Sequence, residues 1–437
     1  MLHVPIAGDI AATSANLLFS EAPTATIPEA HEESAPPGAV ATQERLDELI
    51  EVGGLHNRLL EAAESCAALG GVYLRPVWDR EVADHPILSV VQADAAVPEF
   101  RWGVLRAVTL WRVVEDDGRI VWRHLERHEV DGQGRGIILH GLYRGTSDSL
   151  GTRMDLSAHP ETTKLEPVVR LPFEGLGIRY VPNMRPNRRF RGTALGQSDY
   201  AGSEGLMDAL DEVYTSWLRD IRLARARIVV PEEWLERRDG PDGRPRWIFD
   251  LDREIFTSLN IDPASAQSAG ITPSQFAIRT EEHARAALEL LDRIISAAGY
   301  SPQSFGLKIE GRAESGTALR LRERKSLVTR EKKARYWKPA LEDVLQMMLA
   351  IDREVFGNTR IDPSFRPRVE IADSIVPDVT EVAQAVDLLA RAQAASIETR
   401  VRMVHPDWSP EEVAAEVQRI REEQGLSLPD PIQTGIA

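Results

Sequence analysis

Cysteine is almost absent: Cys66 stands alone in 437 residues. A single thiol excludes an internal disulfide framework and a cluster of thiolate metal ligands, and it suits a reducing cytoplasm. Long apolar runs are missing too; none approaches the ~20 residues that a membrane-spanning helix needs. The opening residues, MLHVPIAGDIAATSANLLFSEAP, lack the basic-then-apolar order of a secretory signal. Together these absences predict a soluble intracellular protein with no membrane partner. Positive charge is in deficit, with 52 Lys and Arg against 68 Asp and Glu, a net charge of −16. Broad nucleic-acid binding needs the opposite balance, although contact at a few chosen places is compatible with it.

Catalytic signatures are missing as well. There is no GxxxxGK[ST] phosphate loop. GQGRG (132–136) is not GxGxxG and falls in a hairpin turn, and GQSDY (196–200) has Tyr200 where a GxSxG elbow needs glycine. HLERH (124–128) matches neither HExxH nor HxxEH and lies in a strand-like pattern, so His124 and His128 read as surface or packing residues. No catalytic residue, metal or cofactor is expected.

What is present is an ordered series of segments. Residues 1–20 read as a helix or strand, 22–42 (APTATIPEAHEESAPPGAVAT) as an exposed mobile loop, and 43–68 as one helix with Leu46, Leu49, Ile50, Leu59 and Leu60 on its apolar side. A β-rich stretch follows. Asp117-Gly118 and Asp131-Gly132 mark its turns, which predicts an antiparallel meander and excludes a doubly wound nucleotide-binding sheet. A basic connector, 179–202, leads to an amphipathic helix at 203–226 with Leu206, Leu210, Val213, Trp217 and Ile221 on one side. Short strands and Pro/Gly turns occupy 227–277. A second helix starts near Thr280, a candidate N-cap, and stops at Gly299. The C-terminal part, 377–437, reads as two helices, with a capping box in SPEE (409–412). The fold class is α+β.

Between these last regions lies a basic rod. From Arg320 to Lys338 there are nine Arg or Lys and two acids in an otherwise acidic chain. At ~100° per residue its charges, Arg320, Arg324, Arg335 and Lys338 among them, fall on every side of a helix. A groove-reading helix would gather them on one face. Pairing with acidic surface of the same or an adjacent subunit, contact with DNA, and a solvated face all remain open. Pro339 lies inside the helical pattern and predicts a kink there.

The order of parts resembles the portal proteins of tailed bacteriophages, especially long-tailed siphoviruses. The strings that carry it are GQSDYAGSEGLMDALDEVY, AIRTEEHARAALELLDRIISAAGYSPQSFGL and ESGTALRLRERKSLVTREKKARYWKPALEDVL. AASIETRVRMVHPDWSPEEVAAEVQRI resembles the C-terminal helices of actinobacterial-virus members. The resemblance implies a β-rich wing (1–202), a first stem-side helix (203–226), a clip insert (227–277), a second stem helix (278–299), a tunnel loop (300–316), a long kinked helix returning to the wing (317–376) and a helical crown (377–437). It implies a dodecameric ring at one capsid vertex, in the virion and in host cytoplasm during assembly. Double-stranded DNA would pass through it, driven by a separate terminase whose large subunit docks at the clip. Head–tail adaptor, major capsid and scaffold proteins would be further partners. Lys308, Glu310 and Arg312 would lie on the tunnel loop. Family members carry a further segment ahead of the counterpart of HVPIAGDIAATSANLLFSEAP, and this chain begins almost at that point. The rival readings are a DNA-binding adaptor that forms no ring and uses 185–191 and 320–338, a head-completion structural protein, and a hydrolase with a carboxylate site of unfamiliar pattern.

Overall fold

The meander pattern folds as its turns require. In the computed structural model, residues 2–423 are described except 33, 224–226, 230–235, 240–244, 249–271, 275–277, 308–315, 372–378, 406–407 and 409. For the strands between 227 and 274, and for 316–322, 379–381 and 410, the description is of the backbone. The chain divides into a larger unit, Ala7–Asp199 with Gly299–Ala437, and a smaller one, Met1–Ile6 with Tyr200–Ala298.

The larger unit begins with α1 (Ile6–Phe19), β1 (Thr24–Thr26), α2 (Pro37–Val52) and α3 (Leu55–Leu69). Two expectations are corrected here. The segment 22–42 is not a free loop: Thr24–Thr26 pair antiparallel with Arg368–Glu370, and Ile27 is fully buried with its N–H bonded to Gln43 Oε1 at 2.6 Å. Pro37 occupies the first turn of α2, where its missing N–H is harmless. The helix expected over 43–68 is two helices, because Gly53 and Gly54 interrupt it and Gly54 turns left-handed (φ 56°).

The β-strands follow as β2 (Gly71–Val77), β3 (Ile87–Gln92), β4 (Ala96–Arg101), β5 (Val104–Asp116), β6 (Val121–Val130), β7 (Arg135–Thr146), β8 (Ser149–Met154), β9 (Val168–Glu174) and β10 (Arg179–Pro182). β2 is the middle of a three-stranded antiparallel sheet, between β10 and β3. β4 to β8 form an antiparallel meander with β9 added on β7. Asp117 and Asp131 fix two of its turns by accepting backbone N–H bonds from Arg119 and Ile120, and from Gln133 and Arg135.

The smaller unit holds α4 (Glu204–Leu223) and α5 (Thr280–Ala298), which pack on each other. Between them β11 (Arg227–Val229) pairs with β14 (Thr272–Ser274), and β12 (Glu236–Asp239) with β13 (Pro245–Ile248). Asp220 on α4 accepts bonds from Arg279 Nε and His283 Nε2, both at 3.0 Å, and Trp217 stacks on the His283 ring. Asp211 takes the backbone N–H of Val4 at 2.8 Å and bonds His3 at 2.6 Å, which ties the N-terminal segment to α4.

Back in the larger unit, α6 (Gly316–Val355) is a 40-residue helix that continues across an exposed Pro339. From Trp337 onward its side chains build the core with α1, α2, α3 and β2: Trp337 meets Phe19 edge-on at 5.1 Å, and Leu341, Val344, Leu345, Met348 and Leu349 are buried beyond it. After β15 (Arg368–Glu370), the C-terminal region shows three helices among the described residues, α7 (Val379–Arg391), α8 (Ile397–Val404) and α9 (Pro410–Glu423), where two were expected. Ser396 caps α8 by accepting the Thr399 N–H, so the break that divides the expected first helix carries its own stop-and-start signal.

Candidate functional site

One face of α6 carries polar residues inward. Ser326, Thr329, Arg330 and Lys333 recur at helical spacing and are all buried. The same stripe continues into Trp337 and Leu341, so it is the core-facing side of the helix, with polar groups over the two turns that precede Trp337.

Lys333 is the centre. Its ammonium donates to Asp199 Oδ2 at 2.6 Å, Tyr300 Oη at 2.8 Å and Ser14 Oγ at 2.6 Å, which uses all three protons. Tyr300 donates its own proton to Asp199 Oδ2 at 2.6 Å, and Asn183 Nδ2 donates to Asp199 Oδ1 at 2.7 Å. The Asp199 carboxylate therefore answers one cation and two neutral donors, an arrangement of charge-assisted bonds. Burial, then the adjacent Asp199, pushes the Tyr300 phenol well above its ordinary range, so it stays a donor. Burial also raises the neighbouring Cys66 thiol to about 12, leaving it inert.

The rest of the stripe grips backbone. Thr329 Oγ1 donates to Gly299 O at 2.6 Å, and Ser326 Oγ accepts the Ser301 N–H at 2.9 Å. Arg330 Nε donates to Leu17 O at 2.8 Å in the last turn of α1, where a cation suits the negative end of the helix. Further along α6, Asp352 receives a two-pronged contact from Arg45 on α2, at 3.0 and 2.8 Å. Asp343 bridges Arg179 at 2.6 Å and Arg366 at 2.8 Å. The clamp thus holds α1, the segment ending at Asp199 and the segment starting at Gly299 against one helix. Its groups are mutually satisfied, and nothing in it presents a nucleophile or base to solvent.

The basic residues singled out from sequence are placed differently. Arg324 and Arg335 are exposed and Lys338 is half-buried; the Arg320 side chain lies outside the described residues, as do Lys308, Glu310 and Arg312. Of the three described, Arg324, Arg335 and Lys338, none takes part in the clamp. Arg330 and Lys333 were the residues to find, and their signal was a cation on the stripe that later carries Trp337, Leu341 and Val344.

His124 and His128 are buried packing residues of β6. His124 Nε2 meets His140 Nδ1 of β7 at 3.0 Å with the rings stacked, and His128 Nε2 bonds Glu126 at 2.6 Å, which also pairs with Arg75 of β2. Burial, aided by neighbouring positive groups, lowers His124 and His140 to about 4 and His128 to about 3. Among the described residues no group of His, Cys, Asp and Glu is arranged to hold a metal ion.

The family model for the phage portal protein, SPP1 Gp6-like, matches residues 178–427, more than half of the chain. The chain belongs to the phage portal protein family. The match takes in α4, the strands between it and α5, α5 itself, the clamp helix α6 and the C-terminal helices, and the whole β-meander precedes it. No curated protein matches the chain. Portal proteins are structural components of the phage capsid and, in general, not enzymes. In this portal protein the strong groups of the clamp bond other parts of the same chain. No helix among its described residues is long and apolar enough to cross a membrane.

Proposed function

We propose that copies of this chain assemble into a ring, expected to be a dodecamer, that forms the DNA channel at one capsid vertex. The observation that carries this reading is the uncovered apolar side of α4 and α5 in a portal-family chain. On α4 only Leu210 and Asp211 are buried, while Leu218 and Ile221 are exposed, and on α5 Leu288 is 55% exposed. Helices this amphipathic are built to be covered, and neighbouring copies of the same helices are the cover a ring supplies.

In this reading α4 and α5 are the stem, and the strands between them are the clip that receives the terminase large subunit during packaging and head–tail adaptors afterwards. The meander sheet and α1–α3 form the wing, and α7–α9 the crown, facing capsid and scaffold proteins. DNA enters and leaves through the central tunnel. An acidic wall favours passage, because each phosphate held by a fixed cation deepens a salt-dependent trap. Two cations of the basic rod, Lys333 and Arg330, are consumed in the interior of their own subunit, while Arg324 and Arg335 are exposed. Lys308 and Arg312, on either side of Glu310, are the residues proposed to touch DNA from the tunnel loop. A bend in α6 at Pro339 completes the proposed geometry.

Electron microscopy of the purified protein tests the ring; a central-holed particle is expected, and a chain that stays monomeric at high concentration and in heads overturns the reading. Lys308→Ala with Arg312→Ala is expected to leave rings intact and to lower DNA packaging or retention. Normal packaging by that variant removes the tunnel-loop assignment.

A further inference from the structure

The hairpin between β4 and β5 has a two-residue turn, Trp102-Gly103, with positive φ at both positions (56° and 77°), as the strand twist demands. Asn or Asp before glycine fits such a turn, whereas a bulky side chain at positive φ is an outlier. Trp102 is nevertheless there, 92% exposed, with Val104 beside it 69% exposed. Within the chain this residue brings backbone strain and exposed aromatic surface and no packing. Strain and exposure on one residue point to a gain made outside the chain.

The same sheet also carries a hollow. On its outer face Val97, Trp111, Leu125 and Leu150 line a cleft of about 340 Å³ with Arg123 and Asp148 on it. The face is outward because Trp111 and Leu125 are cross-strand partners, while their neighbours Leu110 and Glu126 point to the interior side with the core and Arg75. Val97, Trp111 and Leu150 remain exposed, so the cleft is unfilled in a single chain. One opposite-charge pair is available across knob and hollow: Arg101 adjoins Trp102 and is exposed, and Asp148, exposed, lies on the cleft, where Arg123 is already engaged by the carbonyls of Thr146, Ser147 and Ser149.

We propose that Trp102 of one copy seats in the Val97–Trp111–Leu125–Leu150 cleft of the next copy. This rests on the ring reading above and names one of its contacts. Knob and cleft are different surfaces, so the contact is head-to-tail, the kind that propagates around a ring and does not stop at a dimer. A tryptophan entering an apolar pocket that already holds an aromatic is the usual composition of an energetic centre at an interface, and Arg101 facing Asp148 would fix its orientation.

The chain itself supplies a clean background for the test, since its lone Cys66 is buried. Trp102→Cys and Leu150→Cys, combined in one chain and treated with a short bismaleimide, should give a covalent ladder extending beyond the dimer. Each single variant should stop at dimer or monomer, and the unaltered chain should not cross-link. Trp102→Ala and Leu150→Arg should each keep the thermal unfolding of the free subunit and raise the concentration needed for assembly by about tenfold or more. Rings of the double-cysteine chain without a ladder overturn this contact and leave the ring reading standing. Absence of rings from the unaltered chain overturns both. If Trp102→Ala rings form as before but fail to enter heads, the knob serves a different protein and the proposal is wrong.

Discussion

The clamp helix and the paired helices α4 and α5 handle hydrophobic residues in opposite ways. α6 beyond Ser326 has polar and apolar residues mixed along one stripe, yet that stripe is buried, down to a lysine and an arginine. α4 and α5 separate polar from apolar cleanly, and much of their apolar side is open. Clean amphipathicity therefore does not report burial within one chain. A polar group inside the chain can be accommodated once, with partners fixed at folding, whereas an apolar face kept for another copy must stay free of charges until assembly. The difference shows α6 serving its own chain, and in the proposed ring it leaves α4 and α5 to neighbouring copies.

Breaking the clamp should have the largest effect. Asp199→Ala leaves Lys333 as a buried cation without its counter-charge and is expected to destabilise the larger unit by about 3–5 kcal/mol, read as a lowered midpoint in denaturant. Lys333→Met combined with Asp199→Asn should recover much of that loss, because no uncompensated charge remains. If Asp199→Ala melts like the unaltered chain, the clamp is not what holds α6.

Acid sharpens the same contrast, since it reaches the buried polar interior and spares an open apolar face. His124, His128 and His140 are held below the ~6.5 of an unfolded histidine, so the folded state binds fewer protons there. Their stabilising contribution is complete above about pH 6.5 and is lost as pH falls through 4 and 3, on the order of 1 kcal/mol or more for each. Arg75, Arg112, Glu126 and Glu161 face the same cluster and set its local field. The melting temperature should fall from pH 6.5 to 4, and His124→Gln should flatten that slope; a flat profile in the unaltered chain would contradict the buried neutral histidines.

On the open side, Leu288→Lys should change the unfolding of the chain by no more than about 0.5 kcal/mol, as exposed positions usually do, while weakening assembly in sedimentation. Equal loss of folding and assembly would mean that α5 is covered within its own subunit. Smallest of all for folding is Pro339→Ala. Alanine restores a backbone donor in the middle of α6, so the fold should be kept or slightly gained. The shape of the rings, seen by microscopy, is the sensitive readout, and rings indistinguishable from the original would remove Pro339 from the assembly geometry.

Local chemistry made a good part of the fold legible. Asp117 and Asp131 announced their turns because a carboxylate beside glycine bonds the backbone a few residues away. α4 declared itself by period, and α5 by the signals near its ends at Thr280 and Gly299. What escaped was non-local. Thr24–Thr26 become a strand through Arg368–Glu370, a partner over three hundred residues distant, and no neighbour of Thr24 hints at it. Gly53-Gly54 broke a helix whose apolar period runs on through both halves. At the clamp, Lys333 and Arg330 were hidden among the other cations of the rod. Of the residues chosen there, Arg324, Arg335 and Lys338 share its charge but are not buried on its inward stripe, and the Arg320 side chain lies outside the described residues. Only the continuation of that stripe into Trp337 separates a buried lysine from a solvated one, and Asp199, its counter-charge, comes from 134 residues earlier in a turn with no pattern of its own.

Asp199 and Tyr300 close the clamp on each other at 2.6 Å, and the segment Tyr200–Ala298 of the smaller unit lies between them in the chain. The two residues thus lie side by side although about a hundred residues separate them along the chain, and Lys333 bonds both. A segment tied off in this way can lengthen, shorten or be exchanged without asking the body to re-form its core, because the entropy of joining its ends is met at this contact and grows only slowly with the length between them.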